Sequence, residues 1–496
     1  MTLRKILSFI MVLTLIITLC LGCEKQSKDP ATSTLEKNNH LYSDLEYEEI
    51  SIAVPIESDK EIMDSIVIEL NKMTMMKINT KVEFVYMKRE TLQYDILFQL
   101  NSGNSDIVYC NNSSLGRKFN DNSLPYLVSQ DLVRDISGML PEYAPALNKA
   151  FNEMNYLDYM RIDKGIYGIP IYWPVTDMPI ALVRKELISN DTKIESFDDI
   201  YTLLVNTDLK GKKYNLYSTL GDIIQILANI NDYYTIPSNS NNGYIYDRKK
   251  DNILRFEDTN IINELSNYIS YYDTYGVNSN YTRAINDGNT GVILTTAIYY
   301  MNTSIENYEF DYYLLYKGKK FQYSFKNVFC MVVSAGSGNS ERALILLDYL
   351  YSDKEAYDLI TYGKYGEDYV IRNGIYVVAN PVSLMNIFNP LLISLQQPNN
   401  STYRISLKEY LDGVYIPNYL KNLYNDYELY KKYNEMLYNT KDQFKISERE
   451  EIILQYSIAA NNKDQIRGAF ETMLLKLEKT TNLSEDLYYA IQNLTN

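Results

Sequence analysis

The spacing of apolar and polar positions over residues 50–110 predicts strands that alternate with helices. Apolar runs of the buried-strand type alternate with stretches in which apolar residues recur at helical spacing. The predicted strands are 50–56, 82–86 and 106–110, and the predicted helices are 59–73 and 90–100, the first with Ile62, Ile66, Val67 and Leu70 on one face. This order favours a parallel sheet covered by helices. Because ligands of such sheets lie beyond the carboxyl ends of strands, the segment after Tyr109 is a candidate site.

The rest of the chain continues this mixed pattern. Further strands are predicted at 181–184, 291–296 and 328–334, further helices at 340–351 and from the capping residues 196–199, and mostly helix from Ile405 onward. Residues 165–174 hold two prolines and two glycines in an otherwise apolar stretch. The stretch is too apolar for an exposed loop and too rich in proline for a central strand. We therefore expect an extended crossing between two domains there.

The N-terminus has the pattern of an export signal. An apolar run, 6–21, follows Arg4 and Lys5 and is followed by Gly22 and Cys23. A basic start, a short apolar core and a small residue before a cysteine predict a lipoprotein signal peptide, residues 1–22, with a diacylglycerol on Cys23. The run is short for a membrane span, which needs ~20 residues. An ordinary signal peptide and an uncleaved anchor are the alternatives.

Charge and composition limit the partners of the chain. The polar residues 23–46 are predicted to form a flexible tether. The formal charge is −15, and loss of residues 1–22 removes two cations and no acid, leaving about −17. Nucleic acid is excluded as a partner because phosphate binding needs a basic face. The short basic runs 210–213 and 317–320 are interpreted as solvated turns.

Histidine and cysteine usage removes several kinds of chemistry. The one histidine is His40, in the polar segment, so the folded body is without Ser-His-Asp catalysis, Cys-His catalysis and histidine-containing zinc sites. After processing, Cys110 and Cys330 remain beside Cys23. Two cysteines do not form a structural zinc site, and the sequence does not decide whether they pair. We expect no cofactor and no metal.

Neighbouring acids do not indicate glycoside cleavage. The pairs in question are Asp198-Asp199 and the run 448–451. Hydrolysis of that kind needs two carboxyl groups ~5–9 Å apart across a cleft. Acids adjacent on a helix do not face each other across a cleft, so both groups are interpreted as solvated helix faces.

Several segments, in order along the chain, are similar to one family. They are 101–109, 132–136, 165–170 with 181–187, 285–293, and 332–343 with 350–354 and 362–366. The pair Gly165-Ile-Tyr-Gly-Ile-Pro170 and Ala181-Leu-Val-Arg-Lys-Glu-Leu187 is the best match. Together these segments resemble the family 1 extracellular solute-binding proteins of ABC transporters, and among them LipO-like lipoproteins with a fold like maltose-binding protein. The chain departs from the family at Asp163-Lys164, before Gly165, and from Asn400 onward no segment matches.

The resemblance implies an α/β, two-lobe periplasmic-binding-protein-like fold of type II, each lobe a sheet flanked by helices, joined by a hinge. Lobe 1 is predicted to comprise 47–171 plus 327–378, and lobe 2 to comprise 172–326 plus 379–496 with the C-terminal helices. Crossings are predicted near 171–176, 321–327 and 376–380. The resemblance implies closure on the ligand, recognition of the closed state by an ABC permease in the membrane, and a monomer.

Two groups of residues are candidates for ligand contact. Asn111 and Asn112 follow the third strand, and their amides could bind sugar hydroxyls or peptide groups, although asparagine also favours plain turns. At the crossing, Tyr172 and Trp173 offer rings for a sugar face, with packing between the lobes as the alternative. Asp177 could accept hydrogen bonds from hydroxyls, with a helix or turn cap as the alternative.

Three tyrosines complete the candidate site. Tyr299 and Tyr300 follow the predicted strand 291–296, where relatives place an aromatic residue in the cleft. Tyr362 is proposed on a weaker version of the same argument. Tyrosine combines an apolar face with a polar tip, but 49 of the 496 residues are tyrosine, so residue type alone does not identify a site.

The sequence therefore predicts a solute-binding lipoprotein that performs no chemistry. It is expected to lie on the extracellular face of the cell membrane of a Gram-positive bacterium, held only by the N-terminal lipid. An oligosaccharide is the first candidate ligand and a peptide the second. The alternatives are a secreted carbohydrate hydrolase that works without histidine and a surface interaction protein with a degenerate cleft.

Overall fold

Two mixed β-sheets, of five and four strands, organise the part of the chain that the structure, a computed structural model, describes. The described residues are 44–56, 59–111, 124–153, 157, 160–171, 178–189, 192–235, 244–247, 249–250, 252–277, 281–296, 309–322, 329–372, 375–379, 384–385, 414–415, 428, 431–432, 445, 448–449, 451–456 and 465–480. The chain divides into two units, Met1–Glu46 and Tyr47–Asn496. The strands and helices all lie in the second unit.

Its strands and helices are numbered in chain order. The strands are β1 Glu48–Pro55, β2 Thr80–Met87, β3 Ile107–Asn111, β4 Arg161–Ile162, β5 Gly165–Ile166, β6 Ile169–Pro170, β7 Pro179–Arg184, β8 Asn215–Tyr217, β9 Tyr233–Thr235, β10 Tyr244–Asp247, β11 Asn252–Arg255, β12 Thr290–Thr296, β13 Phe310–Leu314, β14 Phe321–Gln322, β15 Phe329–Val333, β16 Tyr369–Arg372, β17 Ile375–Val378 and β18 Val414–Tyr415. The helices are α1 Lys60–Ile78, α2 Leu92–Ser102, α3 Leu124–Ser129, α4 Leu140–Tyr143, α5 Pro145–Glu153, α6 Phe197–Leu209, α7 Leu220–Ile230, α8 Ile261–Tyr275, α9 Tyr281–Asn286, α10 Ser340–Ser352, α11 Lys354–Tyr362 and α12 Ile466–Leu477.

The first sheet has the strand order β2-β1-β3-β15-β6. Strand β1 pairs in parallel with β2 from Glu48↔Thr80 to Pro55↔Met87, and also in parallel with β3. Strand β15 is antiparallel to β3 and to the edge strand β6. The predicted parallel opening is confirmed, and a strand from much later in the chain completes the sheet.

Helix α1 shows where helical spacing predicted the buried face and where it did not. Asp59 caps the helix by accepting from the Glu61 amide at 2.9 Å. The buried face holds Ile66 and Leu70, as predicted, but it continues through Met63 rather than Ile62, which is 40% exposed. The inclusion of Ile62 in that face was wrong, because the residues facing the core are centred one position further along the helix.

The second sheet has the strand order β13-β7-β12-β8, and both of its faces are covered. Strand β7 is buried at all six positions. Alternate residues serve different clusters: Ala181 and Val183 pack in one core, while Ile180 and Leu182 pack in another on the opposite face. The strands predicted at 181–184 and 291–296 are confirmed as β7 and β12.

Two predictions about charged segments are confirmed by local geometry. Ser196 and Asp199 form a capping box at the start of α6, with Ser196 Oγ accepting from the Asp199 amide at 3.3 Å and Asp199 Oδ2 accepting from the Ser196 amide at 3.0 Å. The Asp199 carboxylate therefore serves the helix end. The basic runs 210–213 and 317–320 are exposed.

The C-terminal segments belong to the core that contains one face of the second sheet. Residues 451–456 and α12 contribute Ile453, Phe470 and Met473 to that core. Glu448 and Glu451 are exposed, as predicted, but Arg449 between them is fully buried. The interpretation of 448–451 as a solvated face was thus wrong for Arg449, whose charge is matched by Glu257. Among the residues described, no helix is both long and apolar enough to cross a bilayer.

Candidate functional site

At one edge of the first sheet, β3 and β6 end and β15 begins. Strand β3 ends at Asn111, which pairs with Phe329, the first residue of β15. On the other side of β15, the Ile171 amide donates to the Phe329 carbonyl at 3.1 Å. Asn111, Phe329 and Ile171 therefore lie side by side where β3 and β6 end, the position at which α/β sheets bind ligands.

A matching edge exists in the second sheet. Strand β12 ends at Thr296, which pairs with Pro179 at the start of β7. Strand β13 ends beside the same position, because Leu314 pairs with Ile180 and the Leu315 amide donates to the Pro179 carbonyl at 3.1 Å. Thr296 is 2% exposed, so the strand end itself is packed.

Two connections within 171–329 leave or return to the edge of the first sheet. The chain leaves the first sheet after Ile171 and enters the second at Met178. It leaves β14 after Gln322 and re-enters the first sheet at Phe329. The first connection runs from the first edge to the second, and the second connection runs from β14, which pairs with β18, back to the first edge.

Most of the predicted contact residues directly follow or precede these strand ends in the sequence. Asn111 is the last residue of β3, and its backbone pairs with Phe329. Outside the described residues lie Cys23, Asn112, Tyr172, Trp173, Asp177, Tyr299 and Tyr300. The ligand contacts of the last six residues stay predictions, as does the lipid on Cys23.

Tyr362 has a different setting. It is the last residue of α11, and its ring centroid lies 5.7 Å from that of Tyr369 in β16. Tyr369 in turn donates to the buried Asp358 carboxylate at 3.3 Å. The ring of Tyr362 therefore packs at the junction of α11 with the β16–β17 hairpin, and its contact with a ligand stays a prediction.

Sequence analysis did not predict the aromatic pair that lies at this edge of the first sheet. The Tyr109 and Phe329 ring centroids are 5.8 Å apart, with a tilt of 30° between the planes. Tyr109 precedes the end of β3 by two residues, so the sequence alone places it near this edge. Phe329 required the register of β15, which no local pattern reveals. Offset aromatic rings of this kind supply an apolar surface beside the strand ends.

Two tyrosines near the second sheet keep their hydroxyl protons at neutral pH. Burial raises the pKa of Tyr272 to about 12, and its hydroxyl donates to the Val277 carbonyl at 3.1 Å. Burial likewise raises the pKa of Tyr316 to about 12, and its hydroxyl oxygen accepts from the Phe197 amide at 3.2 Å. Such groups position and donate at neutral pH but do not act as bases.

The motif residues that resemble the family are structural where they are described. Asp106 accepts from the Ser51 amide at 2.9 Å and from Ser337 Oγ at 2.6 Å, at the end of β3 remote from Asn111. Arg184, at the end of β7, donates to the Thr290 carbonyl at 3.0 Å. These two side chains hold strand ends in place. Within the described part of the chain, no three His, Cys, Asp or Glu side chains are grouped as a metal site would require.

Comparison with known proteins assigns the fold to a family. Residues 75–357, more than half of the chain, match the family model for bacterial extracellular solute-binding proteins. No curated protein matches the sequence.

Two solved structures are similar over most of the chain. The N-glycan transport solute-binding protein of Streptococcus pneumoniae is 14% identical, with 90% of this chain and 98% of that chain covered and a TM-score of 0.60. An HMO-binding, ABC-transporter-associated solute-binding protein of Bifidobacterium longum infantis is 13% identical, with the same coverage and a TM-score of 0.53. At such identities the likeness shows the fold alone. The chain has the two-lobe fold of these proteins and belongs to the bacterial extracellular solute-binding protein family.

Proposed function

We propose that the protein captures an oligosaccharide between its lobes and delivers it to an ABC importer. The observation that carries the proposal is that Asn111, Ile171 and Phe329 lie side by side at one edge of the first sheet, where one chain crossing leaves and the other returns. Family membership supports a binding protein rather than a hydrolase. Both similar structures are of proteins whose names describe glycan transport or HMO binding, which supports a sugar over a peptide.

The proposed site combines rings and amides. Trp173 and Tyr172 stack on the sugar face, as Tyr299 and Tyr300 do from the second lobe. Asn111, Asn112 and Asp177 bind hydroxyl groups through amide and carboxylate atoms. Tyr362 is retained as a peripheral contact, since its ring also packs on Tyr369.

Capture requires movement of one lobe relative to the other. We propose lobe 1 as 47–171 plus 327–378 and lobe 2 as 172–326 plus 379–496, so that the crossings act as the hinge. Ligand shifts the open–closed equilibrium only to the extent that it binds the closed state more tightly. The closed monomer is the form that the permease recognises.

The family is extracellular, which implies a location outside the cytoplasm. We propose that residues 1–22 are removed and that the Cys23 thiol carries the lipid. Residues 23–46 then tether the binding body to the outer face of the membrane, close to the permease.

A binding screen of the purified protein tests the proposal. Panels of N-glycan fragments, milk oligosaccharides, malto-oligosaccharides and short peptides are compared by thermal shift and then by calorimetry, because a ligand that binds only the native state raises the melting temperature. An oligosaccharide that raises it, with saturable heat, is the expected result. A peptide that binds while no sugar does, or binding by neither class, contradicts the proposal.

A further inference from the structure

Two cysteines lie directly opposite each other in the first sheet. Cys110 in β3 pairs in register with Cys330 in the antiparallel strand β15. Both are buried, at 1% and 0% exposure, and both are free thiols in this structure. Neither has a place in the proposed ligand site.

The ladder brings the two cysteines close to the separation of a disulfide. The Ser334 amide donates to the Asp106 carbonyl at 2.9 Å, which identifies this residue pair as hydrogen-bonded. Hydrogen-bonded and non-hydrogen-bonded pairs alternate along an antiparallel ladder. Cys110 and Cys330 lie four residues from Asp106 and Ser334 along their strands, so they also form a hydrogen-bonded pair. Such pairs have Cα atoms about 5.5 Å apart, within the range that disulfides span. Their Cβ atoms lie ~4.5–5.5 Å apart, whereas a disulfide needs ~3.5–4.5 Å, so its formation draws the two strands slightly together. Directly opposite side chains also project from the same face of the sheet.

The surroundings leave room for sulfur on that face. A Cβ atom added to Gly168 would lie 3.1 Å from Cys330 Sγ and 3.2 Å from Cys330 Cβ, so glycine keeps this space open. Burial raises the pKa of both thiols, that of Cys330 to about 12. Thiols of this kind are poor nucleophiles in the folded state, so the bond forms when β3 and β15 open or before they finish pairing.

We propose that Cys110 and Cys330 are a redox pair that closes to a disulfide joining β3 to β15. Each thiol gives up its proton and one electron as the S–S bond forms. A disulfide oxidant takes up the two electrons and is cleaved to two thiols, by exchange through a mixed disulfide. An extracellular protein meets the oxidising conditions in which such bonds persist.

The disulfide would affect both the stability of the fold and the strand ends next to the proposed ligand site. It closes a loop of more than 200 residues, the kind of closure that constrains the unfolded chain most. It also lies one residue inside the Asn111↔Phe329 pair, so it would hold together the strand ends from which the proposed ligand segments leave.

Peptide mapping of the full chain tests the proposal. The protein is unfolded in urea, refolded with oxidised glutathione, blocked with iodoacetamide and digested with trypsin without reductant. The expected result is a linked pair of peptides, Glu90–Arg117 and Asn327–Arg342, that separates on reduction. This mapping distinguishes the pair from Cys20 and Cys23.

Melting temperature gives the second readout. The refolded wild type is expected to melt at least ~5 °C higher without dithiothreitol than with it. Cys110→Ala and Cys330→Ala should each abolish that difference. The proposal is overturned if both cysteines of the refolded protein carry the alkyl label and its melting temperature is the same with and without dithiothreitol. Neither result depends on sugar binding.

Discussion

The guanidinium of Arg449 forms a two-point ion pair with the carboxylate of Glu257 in the interior of the protein. Its two terminal nitrogens donate to the Glu257 oxygens at 3.0 and 2.7 Å, and the guanidinium carbon lies 4.5 Å from the centre of the Tyr244 ring. Arg449 also donates to Thr480 Oγ1 at 2.6 Å. The pair thus joins a C-terminal helical segment to the 3-10 turn Phe256–Asp258 beside α8.

Loss of Arg449 is expected to destabilise the protein strongly. Arg449→Met removes two hydrogen bonds to the buried Glu257 carboxylate and leaves Arg255 as its remaining cationic partner. Loss of hydrogen bonds to a charged group of this kind costs about 1.5–3 kcal/mol. Urea unfolding followed by circular dichroism measures the change in the free energy of unfolding.

Arg467 provides the matched control. It also pairs with a carboxylate, that of Asp273 at 2.7 Å, but its side chain is 56% exposed. Exposed pairs contribute at most ~1 kcal/mol, so Arg467→Met should cost no more than that. Equal losses for the two variants would show that burial of the Arg449–Glu257 pair has no energetic consequence.

The same pair predicts a pH dependence of stability. Burial would raise the pKa of Glu257, but the hydrogen bond and charge of Arg449 outweigh it and hold this pKa below its usual range. A carboxyl group with a lowered folded pKa stabilises the fold above its unfolded pKa, ~4.3, and this stability is lost as the pH falls through the folded value. The difference in unfolding free energy between wild type and Glu257→Gln should be constant from about pH 6 to 8 and should narrow below about pH 4. A difference that stays constant down to pH 3 contradicts this assignment.

Gly276 is expected to be intolerant of any side chain. A Cβ atom there would lie 2.4 Å from the Tyr272 carbonyl oxygen, at the end of α8, and backbone cannot yield as a flexible side chain would. Gly276→Ala should therefore destabilise the protein by about 1–3 kcal/mol or more. Gly288→Ala is the control, because nothing lies within 4 Å of its added Cβ. The melting temperatures of the two variants decide the matter, and equal values would refute the close approach.

The local elements were the most predictable part of the fold. The β1-α1-β2-α2-β3 order and the capped start of α6 at Ser196 follow from periodicity and capping, which act over a few residues. The exposure of Ile62 was not predictable, because which neighbouring position faces the core depends on how α1 is rotated against the sheet. The burial of Arg449 was hidden for a similar reason: its partner, Glu257, is 192 residues away in sequence.

The candidate site was predictable only in part. The end of β3 at Asn111 follows from the sheet type. The neighbourhood of Asn111, Ile171 and Phe329 depends on an antiparallel strand contributed from far along the chain, and only the register supplies it. The facing of Cys110 and Cys330 was open in the sequence for the same reason.

Truncation of the proposed stacking residue should weaken sugar binding. Trp173→Ala removes an aromatic anchor and is expected to raise the dissociation constant about tenfold or more, a loss of at least ~1.4 kcal/mol. Tyr94→Ala serves as the control, since Tyr94 is 77% exposed on α2 and is not among the proposed contacts. Calorimetry with the best oligosaccharide of the screen measures both. Unchanged affinity in Trp173→Ala, with the fold intact, would remove Trp173 from the site.

The intrinsic fluorescence of Trp173 tests the central claim most directly, because it is the only tryptophan in the chain. The oligosaccharide panel is titrated into the wild-type protein with excitation selective for tryptophan, and the midpoints are compared with those from calorimetry. The account predicts a saturable change in intensity or wavelength whose midpoint equals the calorimetric dissociation constant. Sugar binding that leaves the Trp173 emission unchanged, or the absence of binding by any sugar, would contradict it.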